Sequence, residues 1–380
     1  MPDLKLYEGR EQTYVKHYIL EKYLESFAPI IGSWRKTITY VDCFSGPWES
    51  NDSAFADTSF GIAVKVLRAA RDDFARRGAS IRLRCFFLEK NSKAYAQLKQ
   101  FAAAAEDIEI ETRNKVLRDA VGDIIHFIRA AGDQNFTFIF VDPTGWTGFP
   151  LKTITPLLQV TPGEVLINFM TEHIRRFVDS SDEELRAGFR QLFDEEIDGS
   201  LFDLPAQERE EKLVGRYLRG VKKAGNFRYV GLAIVFKPEI EKTFFHLLYG
   251  TRNDKGIDVF KKVEQGAMKE AEKARAAAKE RKDTSGQTAF LDATEMHPST
   301  RMHQLRDRYL DAARARVLRE LERRGEVKYN RLWRIAVAWP LVWESDLRGW
   351  LKDWKVQFSG LLPRQKPRWD RDINVIWPKR

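Results

Sequence analysis

The chain has 380 residues, 43% of them hydrophobic and 31% charged, which is a globular composition and too long for one ordinary core, so two or three domains are expected. No apolar run approaches the roughly 20 residues that span a bilayer, and the opening Met1-Pro2-Asp3-Leu4-Lys5 lacks the basic-then-apolar form of a signal peptide. Two cysteines, Cys43 and Cys85, are too few for a disulfide framework or a four-thiolate zinc site, so the expected setting is the cytoplasm, without a membrane.

Residues 11–31 carry Ile19, Leu20, Tyr23, Leu24 and Phe27 at helical spacing. A strand–helix alternation follows. Strands are expected at Thr37–Phe44, Ile81–Leu88, Ile108–Thr112, Phe136–Val141 and Glu164–Met170, and helices at 59–77, 91–104, 116–131 and 150–159. Continuous apolar strands between helices predict a parallel sheet covered on both faces. Residues 182–224 are charged and helical and read as a cap or insertion. Arg228–Phe236 and Thr243–Tyr249 read as a hairpin ending the sheet. A Lys/Glu/Ala helix over 258–282 breaks at Asp283-Thr284-Ser285-Gly286-Gln287.

The remainder reads as a helix over 301–324, a short strand or turn at Gly325–Tyr329, helices at 329–339 and 344–354, and strands at Val356–Leu362 and Ile373–Trp377 around the basic stretch 363–368. Helix, turn, helix and a two-stranded ribbon with a basic tip form a winged-helix pattern. The expected organisation is a Rossmann-like body over 1–260 with a helical insertion near 180–225, a charged helix and linker over 261–300, and a winged-helix-like domain over 301–380.

The net charge of +9 is unevenly placed. Residues 301–380 hold 20 Lys+Arg against 10 Asp+Glu, and seven of the ten tryptophans lie there. A basic, aromatic-rich end on a neutral body suits nucleic-acid binding; a small domain with a tryptophan core and an arginine surface has the same composition. The candidate contacts at the ribbon tip are Arg364, Lys366, Arg368 and Arg371.

Ligands of parallel sheets sit at the carboxyl ends of the strands. The first strand ends Asp42-Cys43-Phe44-Ser45-Gly46-Pro47, where a small residue lets the backbone approach a cofactor. A lone glycine there also serves as a plain turn. The second strand ends at Glu89, followed by Lys90. Glu89 suits two ribose hydroxyls or a helix start. Asn114, after the third strand, would face the base of the same ligand. The fourth strand ends Asp142-Pro143-Thr144-Gly145-Trp146. Proline stops the ladder and leaves the carboxylate at the sheet edge, where it can receive an acceptor amino group, act as a base or make an Asx turn. Trp146 offers a stacking plane for a flipped base, or packs under the loop. Arg175 and Arg176, after the fifth strand, could meet phosphates or start a solvated helix.

In His17–Leu24, Tyr40–Pro47, Phe87–Lys90, Phe140–Trp146 and Phe245–Arg252 the chain resembles the TcmP family, the three-Cys-motif partner proteins, over about residues 11–260. The C-terminal part resembles the winged-helix ends of some members. The resemblance implies a class I, S-adenosylmethionine-binding methyltransferase fold, with Asp42, Gly46, Glu89 and Asp142 at the cofactor and substrate edge. It also implies a three-cysteine, radical-SAM-like protein as partner. Phe44, Ser45, Pro47, Lys90 and Asn114 complete the candidate cofactor set, and Asp142, Pro143 and Trp146 form the candidate catalytic edge.

Two departures stand out. Trp48 follows Gly46-Pro47 where the family has Gly, which points to a catalytically silent scaffold as the alternative, and Thr144 replaces the Phe of Asp-Pro-Phe-Gly. Neither cysteine follows a proline, which argues against a cytosine-C5 nucleophile. None of the six histidines pairs at ligand spacing, so no metal is expected.

Overall fold

The computed structural model describes residues 3–46, 50, 52–145, 148–172, 174, 183–194, 201, 203–237, 242–284 and 300–378. After α1 (Glu11–Gly32), the chain runs β1 (Thr37–Asp42), α2 (Ser59–Arg76), β2 (Arg82–Leu88), α3 (Ser92–Ala104), β3 (Glu109–Arg113), α4 (Leu117–Arg129), β4 (Asn135–Val141), α5 (Leu151–Leu158) and β5 (Gly163–Phe169). Two helices, α6 (Glu183–Phe193) and α7 (Ala206–Ala224), precede β6 (Tyr229–Phe236) and β7 (Thr243–Thr251).

These strands form one seven-stranded sheet in the order β3-β2-β1-β4-β5-β7-β6. The first five are parallel, and β7 runs antiparallel to both β5 and β6. This is the Rossmann-like methyltransferase arrangement that the resemblance implies. All residues of β1, β4 and β5 are buried, because helices cover both faces. Ile38 and Tyr40 face α1 and α2; Val41 and Cys43 face α4, α5 and α7. The edge strand β3 is less buried, and its Glu109 sits outside and pairs with Arg82 and Arg84 of β2.

Within the segment 182–224 the described residues include the helices α6 and α7, and their apolar stripes join the α4–α5 side of the core. Tyr217 of α7 stacks on Phe169 at 4.6 Å between centroids. β1 stops at Asp42, two residues short of the expected end. The Cys43 N–H still reaches the Phe140 carbonyl on β4, but the Ser45 N–H turns to the Leu88 carbonyl on β2, so the chain leaves the ladder between its two neighbours.

The helix α8 (Asp254–Thr284) starts four residues earlier than its apolar periodicity suggests. Beyond it lie α9 (Thr300–Arg324), β8 (Glu326–Lys328), α10 (Tyr329–Val337), α11 (Glu344–Asp353), β9 (Gln357–Ser359) and β10 (Asn374–Ile376). The last three strands form a separate antiparallel sheet, β8-β10-β9. β9 is shorter than the run Val356–Leu362 because Gly360 follows at φ +81°, its Cα side facing the Asp372 carbonyl too closely for a Cβ. Trp333, Trp343 and Trp350 are buried, and Trp333 stacks on Trp369 at 5.1 Å. Tryptophan is therefore the packing material of this part of the chain. Its apolar residues share one continuous core with α1, α2 and α8.

Candidate active site

The parallel strands end along one edge, and the strand order reverses there: β1 lies between β2 and β4, so the connections diverge on either side of it. Crevices at such a switch point hold ligands in open α/β sheets. A cleft of about 1070 Å³, counted out to open solvent, occupies this place. Phe44, Gly46, Asp142, Pro143, Thr144, Asn168 and Met170 line it from the sheet; Arg10, Lys16 and His17 line it from the N-terminal segment, and Phe244 and Phe245 from the start of β7.

Asp142 sits at the floor. Its Oδ2 receives the Lys16 ammonium at 2.5 Å and its Oδ1 receives the Asn168 amide at 2.7 Å. Lys16 and Asp142 are only 12% and 11% exposed, so this ion pair is screened less than a surface pair. Asn168 itself is buried, and its Oδ1 has no hydrogen-bond partner among the described residues. A buried amide oxygen without a partner costs about 1–3 kcal/mol and marks a place where an incoming donor would be stabilised.

Asp42 plays another part. It is fully buried, accepts from the Ser59 hydroxyl at 2.5 Å and the Phe44 N–H at 3.0 Å, and does not line the cleft. Ser59 reaches it because Thr58 caps α2 onto the Gly61 N–H, and because Gly61 lies against the Phe55 carbonyl, where a Cβ would stand 2.1 Å from the oxygen. Burial pushes the Asp42 carboxyl up to about 6, against the pull of the Ser59 and Phe44 donors and with a further push from Asp142.

A carboxyl raised from its ordinary 3.8 keeps a proton in the folded state that the unfolded chain has already released. Its stabilisation is therefore full below about pH 4 and is lost as pH rises through about 6. Two units correspond to about 3 kcal/mol. Asp42→Asn, which keeps an acceptor for Phe44 and gains a donor for Ser59, is expected to flatten the urea-unfolding profile across this window and to exceed the parent's stability at pH 8. An unchanged slope between pH 4 and 6 would remove Asp42 as its source.

The end of β2 is pinned to the same loop. The Ser45 hydroxyl accepts from the Leu88 N–H and donates to the Asp42 carbonyl. Glu89 is 4% exposed, and its Oε1 accepts from the Asn91 N–H at 2.6 Å. The Asn114 amide reaches across from the end of β3 to the Glu89 carbonyl at 2.8 Å. Lys90 and Asn114 are exposed. Glu89, Lys90 and Asn114 lie outside the lining of the cleft that holds Asp142. Pro47, Trp48, Trp146, Arg175 and Arg176 lie outside the described residues.

Lys16, Asn168, Arg10 and Asp57 were not expected. Arg10 pairs with Asp57 at 2.9 Å, and the Ser50 hydroxyl also donates to that acid. His17 is held by Tyr7 at 3.0 Å; burial, then the Lys16 and Arg10 charges, lower its pKa well below the usual value, so it is neutral. Asn168 carried a readable signal, being the polar residue near the end of the fifth strand. Another buried acid, Glu164, belongs to the opposite edge, where the Tyr23 and Thr251 hydroxyls donate to it.

At the C-terminal ribbon, Arg368 pairs with Asp370 at 2.6 Å and Arg371 braces the loop through Gln365, while Arg364 and Lys366 are exposed and make no ion pair among the described residues. Among the described residues no group of three or more His, Cys, Asp or Glu could hold a metal ion, and no helix is long and apolar enough to cross a membrane.

No family model matches the chain, and no curated protein does. Among solved structures it is similar to a Legionella pneumophila protein of family model DUF519, at 10% identity and TM-score 0.38, covering 62% of this chain and 84% of that one. It is also similar to a Thermobifida fusca protein named as a candidate methyltransferase (10%, TM-score 0.35, 64% and 82%). A third is loganic acid methyltransferase with SAH (10%, TM-score 0.31, 75% and 93%). Likeness this distant says nothing of this chain's chemistry; the fold assignment rests on the strand order and direction of its own sheet.

Proposed function

We propose that the chain is an S-adenosylmethionine-dependent methyltransferase acting on nucleic acid, with the segment 301–380 serving as a winged-helix-like binding module. The observation that supports this most directly is the cleft at the β1/β4 switch point with Asp142 on its floor. A nucleoside cofactor suits the residues present. Gly46 offers backbone without a side chain, Ser45 fixes the loop beside β2, and Glu89 holds a buried carboxylate at that strand's end. The chemistry the cofactor supplies when bound is an electrophilic methyl group. Glu89 and the Gly46 loop would hold it, and Asp142 would orient the acceptor nitrogen and take its proton. Positioning of this kind accounts for most of the rate in a direct transfer. The order of α9, α10 and α11 around β8-β10-β9 supports the winged-helix reading. A three-Cys-motif radical-SAM-like protein as partner is carried by sequence resemblance alone.

One observation favours a catalytically silent scaffold instead: Lys16 already fills the position on Asp142 that an acceptor amine would take. Titration calorimetry separates the two. The full chain is expected to bind S-adenosylmethionine, and Glu89→Ala to weaken binding at least about tenfold, the value of one hydrogen bond to a charged group. Folded protein that takes up no cofactor at millimolar concentration would overturn the methyltransferase reading.

A further inference from the structure

The helix that a winged-helix module commonly lays in a groove is here α11, and it is a poor match for a polyanion. It carries Glu344, Asp346 and Asp353 against Arg348 and Lys352, and Glu344 already holds Arg348 at 3.0 Å. The positive charge lies elsewhere. Residues 314–331 hold seven Lys+Arg against three Asp+Glu. Arg316, Arg319 and Arg323 are exposed at helical spacing along α9.

At the end of that stripe three guanidiniums converge on one carboxylate. Glu320 is 11% exposed, and its Oε1 accepts from Arg324 Nε and Arg331 Nε, each at 2.5 Å, while Oε2 accepts from Arg323 Nη2 at 3.0 Å. Arg324 and Arg331 stand on either side of the turn at Gly325, which closes α9 through its N–H to the Leu321 carbonyl. Both are held by Nε alone. Among the described residues their terminal Nη groups have no hydrogen-bond partner, and the side chains are 43% and 52% exposed. A guanidinium fixed by one edge presents its remaining donors as a rigid fork, which matches the oxygens of a phosphodiester and loses little freedom on binding.

We propose that Arg324 and Arg331, oriented by Glu320, form a phosphodiester clamp for a nucleic-acid backbone, and that the strand lies along α9 and not on α11. A lipid surface fits less well. The exposed large apolar residues among those described are Trp34, Val116 and Leu362, none of them on α9 or α10, and a membrane-surface helix needs such residues to insert. The inference rests on the nucleic-acid part of the proposed function.

The test measures binding of the full chain to a labelled mixed-sequence DNA duplex and to the RNA duplex of the same sequence, across a salt series. Glu320→Ala removes one negative charge from the protein, so charge alone predicts tighter binding. The clamp predicts weaker binding, by about three- to tenfold, the cost of ordering one or two released side chains. Arg324→Lys with Arg331→Lys keeps the charge and loses the forks; about a tenfold loss is expected. Glu320→Ala binding as well as or better than the parent, or a lysine pair equal to the parent, overturns the clamp. Inorganic phosphate that displaces the duplex far better than chloride at matched ionic strength identifies a free-phosphate site and overturns the polymer assignment. A parent chain that binds neither duplex removes the nucleic-acid reading as a whole, whereas a binding parent with indifferent variants removes only the clamp.

Discussion

Asp142→Asn is expected to cut methyl transfer from labelled S-adenosylmethionine into mixed cellular nucleic acid by about 10²–10⁴-fold, the usual worth of a positioned proton acceptor, and to leave cofactor affinity unchanged. The amide keeps the size of the carboxylate and can still accept one hydrogen bond from Lys16 or Asn168. It cannot carry the charge that holds an acceptor amine, nor take its proton. Lys16 is the control. Its ammonium occupies Oδ2 at 2.5 Å with the Phe245 ring nearby, so an acceptor must displace it. Lys16→Met opens that oxygen, and transfer is expected to persist with a lower apparent KM for the nucleic acid. Equal collapse of transfer in Asp142→Asn and Lys16→Met would assign the pair to holding α1 against the sheet, and would leave Asp142 with no role of its own in the reaction.

What the chain discloses before folding follows from how each part is stabilised. β1, β4 and β5 are legible as strands because burial on both faces demands unbroken apolar runs. Their carboxyl ends are legible as a cleft because that is where buried strands must expose polar residues, and Asp142 and Gly46 line the cleft there. Lys16 is not legible in this way, since it meets Asp142 across 126 residues of sequence and nothing in its own helix distinguishes it from a solvated lysine. Asp42 shows the converse. Its place at a strand end suggests a ligand contact, yet Ser59, fixed by the cap of α2, takes its carboxylate inward. The start of α8 was hidden for a similar reason: Asp254 bonds Tyr229 and Arg334, contacts from β6 and α10 that no local period reveals. Tryptophan content pointed equally to nucleic acid and to packing, and burial of Trp333, Trp343 and Trp350 accounts for it by packing. That moves the argument for nucleic acid onto the arginines.

The second large effect concerns how the C-terminal segment is held. Lys261 and Glu264, one turn apart on α8, are 4% and 2% exposed and form an ion pair at 2.5 Å. Each also reaches the turn between α10 and α11. The Lys261 ammonium donates to the Trp339 carbonyl at 2.9 Å, and Glu264 accepts from the Leu341 N–H and the Trp343 indole N–H, both at 3.0 Å. Burial lowers the Lys261 pKa while Glu264 pulls it back up, so neither charge stands without the other. Removing one partner of such a pair leaves an uncompensated charge inside, at a cost of about 3–5 kcal/mol. Lys261→Met is expected to lose that much in urea unfolding. Lys261→Met with Glu264→Gln should lose less than Lys261→Met alone, because the amide keeps an acceptor for Leu341 or Trp343 and no orphan charge remains. A single-variant loss under about 1 kcal/mol, the worth of an exposed pair, would mean that water reaches this contact and that the tryptophan core alone holds the segment against α8.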